Sequence, residues 1–385
     1  MEMKQDASLV FAKEIMIEFA YLTGISSNKK QKRYLWTDAF AVCNFLELYR
    51  QTKDEKYRQL ALSLVDQVHH VLGKHRDNSR EGWISGLDEG EGEKHPTKGG
   101  LRIGKELNER KPKEPFDEIL EWERDGQYYH YLTKWMHALN RVSRETGDLT
   151  YNRLAIELAK VAHSAFTYVP SSGGKKRMYW KMSIDLSRPL VPSMGQHDPL
   201  DGLITYKELQ ATAQKFHSGL DLSFEISDME SICEGKDWTT SDPLGIGDLL
   251  CNSYKIAQLV IKGCSELSDL LLILLRSSND GLEAYLETDP LELPSERRLA
   301  FRELGLSIGL KAAKRTKELI KEIKGLFDEH LLHSKIESLL QYAYLTEKIE
   351  RFWLENKESE SWREHLDINM VMLATSLIPD GYLRI

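Results

Sequence analysis

Four carboxylates in two short stretches carry the chemistry this sequence could do. Glu121 and Asp125 sit in E-W-E-R-D-G-Q-Y-Y-H-Y (121–131), and Asp198 and Asp201 in Q-H-D-P-L-D-G (196–202). Glycoside hydrolysis needs two carboxyl groups across a cleft, roughly 5 to 10 Å apart. One is the general acid, and the other acts as nucleophile or as base for water. The same stretches hold His130 and His197, either of which could replace the carboxylates in a proton-transfer pair. Trp36, Trp83, Tyr128, Trp180 and Trp238 offer faces on which a sugar ring could stack, and Asp38, Arg102, Gln127, His130, Arg188 and His197 offer polar contacts. Arg102 would suit a carboxylate or phosphate, which its planar fork can bind bidentately.

Plainer roles compete for the same residues. Asp198, Asp242 and Asp289 each precede Pro-Leu, and Asp followed by Pro is a favoured helix opening, so capping is the first expectation for all three. Asp125, before Gly126 and an aromatic run, is as well placed to cap as to catalyse. Tyr128, Tyr129 and Tyr131 cannot all face one way on a helix, so at least one belongs to the core. His69, His70, His137 and His163 fall within helical patterns, where a packed histidine is the ordinary case. The acidic run Asp88–Glu93 lacks the D-x-[DN]-x-[DN]-G spacing of a calcium loop and reads as solvated. The Cys, His and acidic spacings suggest no metal site, and no cofactor is expected. The glycines of K-G-G-L-R-I-G-K (98–105) lack phosphate-loop spacing and read as a turn that aims Arg102 into the cleft. No G-x-S-x-G or H-E-x-x-H occurs.

The elements that must position these residues read as helices. Apolar residues recur at helical spacing over Ala7–Leu22, Trp36–Arg50, Glu55–Leu72, Gly126–Thr146, Leu149–Tyr168, Leu200–Phe216, Leu244–Ile261, Glu266–Leu286, Glu296–Leu310, Ala312–Phe327, Lys335–Trp353 and Trp362–Leu377. Strand patterns are almost absent. A hairpin signature repeats 94 positions apart: R-Q-T-K-D-x-x-Y-x-x-L-A-x-x-L from Arg50 matches R-E-T-G-D-x-x-Y-x-x-L-A-x-x-L from Arg144. Asp54 and Asp148 are placed to cap the second helix of each pair. Long Trp- and acid-rich insertions follow second helices: Arg76–Arg124, Arg177–Leu203 and Asp221–Asp242. Insertions from successive repeats gather on one face.

Tandem hairpins, long loops at one end and W-T-D-A (36–39) opening an inner-type helix resemble the six-hairpin (α/α)6-barrel superfamily. That superfamily holds glycoside hydrolases, unsaturated glucuronyl hydrolases, polysaccharide lyase domains and sugar epimerases. The resemblance implies an all-α fold, an (α/α)6 toroid of helical hairpins formed by residues 1–385 as a single domain. It also implies a carbohydrate-active enzyme. Its main form would be a glycoside hydrolase with Glu121, Asp125, Asp198 and Asp201 as the carboxylate set, acting on a small or acidic saccharide. A sugar epimerase or isomerase on the same scaffold is the alternative, and a non-catalytic helical binding module the third.

Composition narrows the partners. The 385 residues carry a formal net charge of -8 with basic and acidic residues interspersed, so nucleic acid is not an expected partner. No apolar run reaches the roughly 18 to 20 residues that span a bilayer. Leu9–Leu22 is broken by Lys13, Glu14 and Glu18 and does not read as a signal peptide. Four cysteines without ligand spacing read as reduced and structural, which fits the cytoplasm.

Overall fold

Helical hairpins account for most of the chain in a computed structural model that describes residues 2–76, 80–321 and 329–385. The all-α class is observed. The first helix, α1 (Glu2–Leu22), is followed by two hairpins, α2 (Leu35–Thr52) with α3 (Glu55–Leu72) and, after the short α4 (Glu89–Lys94) and α5 (Glu118–Glu123), α6 (Tyr129–Thr146) with α7 (Leu149–Phe166). Next come α8 (Asp198–Lys215) and α9 (Ser223–Cys233). The strands among the described residues have two or three residues each: β1 (Gln127–Tyr128), β2 (Thr167–Tyr168), β3 (Arg177–Met178), β4 (Lys181–Met182) and β5 (Pro189–Val191). The rest comprises α10 (Pro243–Ile261), α11 (Ser268–Leu286), α12 (Ala300–Ile320), α13 (Glu329–Leu340), α14 (Tyr344–Glu355), α15 (Glu360–Glu364), α16 (Leu366–Leu377) and α17 (Asp380–Leu383). None of these helices is long and apolar enough to cross a membrane.

The chain divides into two compact units, Ala20–Gly235 and Met1–Phe19 with Lys236–Ile385. In the first unit α2 packs on α3 and α6, and α6 packs on α7 and α8. The repeated turn works as its chemistry dictates. The carboxylates of Asp54 and Asp148 accept from the backbone N–H of Lys56 and Thr150, satisfying donors that each new helix leaves open, a contribution of about 1 kcal/mol apiece. Tyr57, Ala61 and Leu64 of α3, and Leu154, Ala155 and Leu158 of α7, are buried in step with the pattern.

In the second unit the helix pair α10 and α12 is packed through glycines. A Cβ added to Gly247 would lie 2.1 Å from the carbonyl oxygen of Gly305, and one added to Gly309 2.5 Å from Cα of Gly247. The backbones touch there, so any side chain would force the helices apart.

Several boundaries differ from expectation for local reasons. Glu296–Leu310 and Ala312–Phe327 are not two helices. Leu310, Lys311, Ala312 and Ala313 are good helix formers with nothing to break them, and α12 runs through to Ile320. Residues 322–327 lie outside the described residues. Lys335–Trp353 is interrupted at 341–343, where N–H groups bond to carbonyls three residues back; on either side of this tightened turn Ile336 and Leu339, then Leu345, Ile349 and Trp353, are buried. Of the three Asp-Pro-Leu starts, Asp242 caps a helix through the N–H of Gly245. Asp289 instead sits at φ 49° and opens a single 3-10 turn. Asp198 is the first residue of α8, with His197 in the cap position.

Candidate active site

A small antiparallel sheet ties the first carboxylate stretch to the loop that leads into the second, and α6 packs on α8. β4 lies between β1 and β5, pairing Gln127 with Met182 and Tyr128 with Lys181. Gly126 makes this possible. Its φ is 149°, and a Cβ there would be 2.8 Å from the carbonyl oxygen of Met182.

The carboxylates of the first stretch are held by cations. Asp125 is fully buried; its Oδ2 accepts from Arg102 Nη1 at 2.8 Å, and its Oδ1 accepts from the N–H of Gly104 at 2.9 Å and of Gly126 at 3.1 Å. Arg76 adds an ion pair at 3.6 Å. Glu121 accepts from Arg110 Nε at 2.8 Å and from Lys181 Nζ at 3.0 Å. That same ammonium donates to the carbonyls of Glu121 and Arg124, and its burial pulls its pKa down. Fixed donors of this kind fasten loops; they leave little room for a carboxyl that must take up and release a proton.

Several expected binding residues belong to the same framework. Arg102 does not reach a cleft: its other nitrogens donate to the carbonyls of Lys74 and Val71. Gln127 accepts from Leu101 N–H and donates to the carbonyls of Gly99 and Ile184. Asp38 is buried, accepts from Tyr34 N–H and lies 3.8 Å from Arg33 Nε. Trp36 packs on Phe40, and Trp83 is buried against Gly92 and donates to Glu89. Trp238 is buried in the other unit. None of these three tryptophans offers an open face to a sugar. Arg188 donates to the carbonyl of Arg110.

A different set converges at the start of α6 and α8. His130 Nδ1 lies 3.6 Å from Asp198 Oδ1, and Lys134, one turn on, donates to Asp201 Oδ2 at 2.9 Å. The imidazole keeps about a quarter of its surface exposed and stacks on Tyr128 (centroids 5.3 Å apart) and, nearly parallel, on Trp180 (6.2 Å). Trp180 in turn meets the exposed ring of Trp122 edge-on at 4.7 Å. Behind them the hydroxyls of Tyr34 and Tyr131 share a hydrogen bond of 2.6 Å. Burial pushes the His130 pKa down to about 4, with Asp201 raising it and Lys134 lowering it, so the ring is neutral at neutral pH. Burial pushes Tyr34 up to about 12 and raises Tyr128 further. These phenols stay protonated. The arrangement joins a neutral imidazole, beside a carboxylate, to aromatic faces of which Trp122 and Trp180 are reachable from solvent.

Sequence reasoning missed Lys134, Tyr34, Tyr131 and Trp122 as members of this group. The signal for Lys134 was present, since His130 and Lys134 are four apart on one helix and Asp198 and Asp201 three apart on another, which places each pair on one face. Among the described residues no cluster of His, Cys, Asp and Glu could hold a metal ion.

No protein-family model matches this sequence, and no curated protein does. Two solved structures are similar to the chain. One is the cellobiose 2-epimerase from Spirochaeta thermophila DSM 6192, with 13% identity, a TM-score of 0.45, and 81% of this chain and 74% of that one covered. The other is a sugar epimerase from a ruminal bacterium, with 11% identity, a TM-score of 0.47, and coverage of 84% and 78%.

Proposed function

We propose that the protein is a saccharide-acting enzyme that moves a proton at a carbon next to a carbonyl, a sugar epimerase or isomerase, with the site at His130, Asp198, Tyr128 and Trp180. The observation that carries this is the imidazole of His130 at 3.6 Å from Asp198, packed against the neighbouring rings of Tyr128 and Trp180. A base that ionises below the working pH is in its acceptor form, and contacts of this length tighten when a substrate closes the site. His130 takes the proton from the carbon beside the open-chain carbonyl, leaving an enediolate. A different proton, delivered to the opposite face by a protonated His197, inverts that centre; His130 is left protonated and His197 neutral, and exchange with solvent resets both. Asp198 orients the imidazole and stabilises its protonated form. Trp180 and Trp122 stack on the sugar.

Glycoside hydrolysis is the second reading, and the geometry favours it less. Glu121 and Asp125 are tied to Arg110, Lys181 and Arg102. Asp198 and Asp201 share one turn of one helix, whereas hydrolysis needs carboxyls on opposite sides of the scissile bond. Incubating the protein with aldoses and reducing disaccharides in D2O, followed by proton NMR, separates the two. Loss of the signal of the proton next to the carbonyl supports proton transfer. Release of a new reducing end without exchange supports hydrolysis and overturns the proposal. We further propose that residues 1–385 act as one domain in the cytoplasm. A single calorimetric unfolding transition is expected, and two resolved transitions would argue otherwise.

A further inference from the structure

Two cavities away from the His130 group share Asn108, Glu109 and Lys111 in their walls, forming one continuous groove. The first, of about 220 Å³, is closed on its other sides by His75, Arg76, Arg80, Ile184 and Arg188. The second, of about 530 Å³, continues past Lys113 and Glu114 to Arg124. Six permanent cations line the groove, against the carboxylates of Glu109 and Glu114, in a chain whose net charge is -8.

Part of that charge is neutralised internally. Arg124 grips Glu114 with two nitrogens, Arg80 bonds Asp185, and Arg76 donates to the carbonyls of Lys105 and Glu106. Among the described residues, Arg188, Lys111 and Lys113 form no ion pair. Arg188 is nonetheless held in place, because it donates to the carbonyl of Arg110. Glu109, which accepts from Ile184 N–H and is drawn toward its charged form by Arg188, is one carboxylate against these three cations. Unpaired cations that converge on a concave surface repel one another until an anion arrives, and a guanidinium presents a fork matched to an oxyanion.

We propose that this groove is an oxyanion-binding site for the carboxylate or phosphate group of a small ligand, with Arg188, Lys111 and Lys113 as its main contacts. The site is independent of the His130 reading. The acidic group of a substrate, which Arg102 was expected to meet, would be met here if the two sites serve one molecule. Otherwise the groove takes a separate anionic effector.

Calorimetric titration of the full chain at low ionic strength tests this, with inorganic phosphate, glucuronate and neutral glucose as probes. Saturable binding of phosphate or glucuronate but not glucose is expected, weakened at least tenfold in Arg188→Gln and in the double variant Lys111→Gln/Lys113→Gln. Preference between the two anions assigns the source. The lysine pair forms none of the framework contacts, so it serves as the test if Arg188→Gln does not fold. Titration of His130→Gln should give the same affinity, which separates failure here from failure of the proposed reaction. No saturable binding to either anion, or binding unchanged in both variants, overturns the proposal.

Discussion

The two carboxylate regions flank the same small sheet along the chain, yet their environments are opposite. At 121–126 Asp125 meets guanidinium and backbone donors and Glu121 a guanidinium and an ammonium, all of them fixed by other bonds. At 198–201 one carboxylate faces a neutral, partly exposed imidazole across 3.6 Å, and the other accepts from Lys134. A buried charge saturated with donors stabilises a loop by making its removal costly. A carboxylate beside a neutral base leaves a proton position to be filled. Acidic residues of equal promise in the sequence thus divide into a fastening and a site.

Breaking the contrast from the reactive side has the largest expected effect. His130→Gln should lower turnover in the exchange assay by about 10²- to 10⁴-fold, the usual range for a lost general base. Its far-UV dichroism should stay unchanged. Equal activity in the variant would remove His130 from the mechanism. From the fastening side, Asp125→Ala leaves Arg102 buried without its carboxylate and should reduce unfolding free energy by about 3 to 5 kcal/mol in urea titrations. A stable Asp125→Ala protein with no turnover would reverse the assignment and make Asp125 catalytic.

Acid sharpens the comparison without mutation. His130 ionises near 4 and buried His69, which accepts from Trp135 Nε1–H, near 3, against 6.5 for each in the unfolded chain. Between those values the unfolded chain holds more protons than the folded one, so stability falls as pH drops from 6.5 and is independent of these groups above it. The loss by pH 4 should be on the order of a few kcal/mol. His69→Gln should flatten part of that slope in thermal melts taken from pH 7 to pH 4. The smallest expected effect is at the aromatic face. Trp180→Ala should raise KM about tenfold with kcat little changed, consistent with roughly 0.5 to 1.5 kcal/mol of stacking. A fall in kcat with KM unchanged would move Trp180 from binding to chemistry.

Much of the fold was legible because periodicity and capping are local. The repeated Thr-x-Asp turns identified two hairpins, and Asp54 and Asp148 cap as their chemistry requires. Helix ends were harder where no breaker marks them: at Lys311 good helix formers carry one helix through, and at 341–343 a tightened turn interrupts another. The convergence of 121–131 with 180–201 could be anticipated from loops repeating at one end of the hairpins. Which acids were fasteners could not.

That second question depends on partners distant in sequence. Arg102 is 23 residues from Asp125, Lys181 is 60 from Glu121, and Asp198 is 68 from His130. The sequence by itself determined the helices, the aromatic supply and the short list of titratable groups. Only the tertiary structure decided which charges cancel, which tryptophans are buried, and which imidazole is left neutral beside a carboxylate, because pairing and desolvation are properties of neighbours in space.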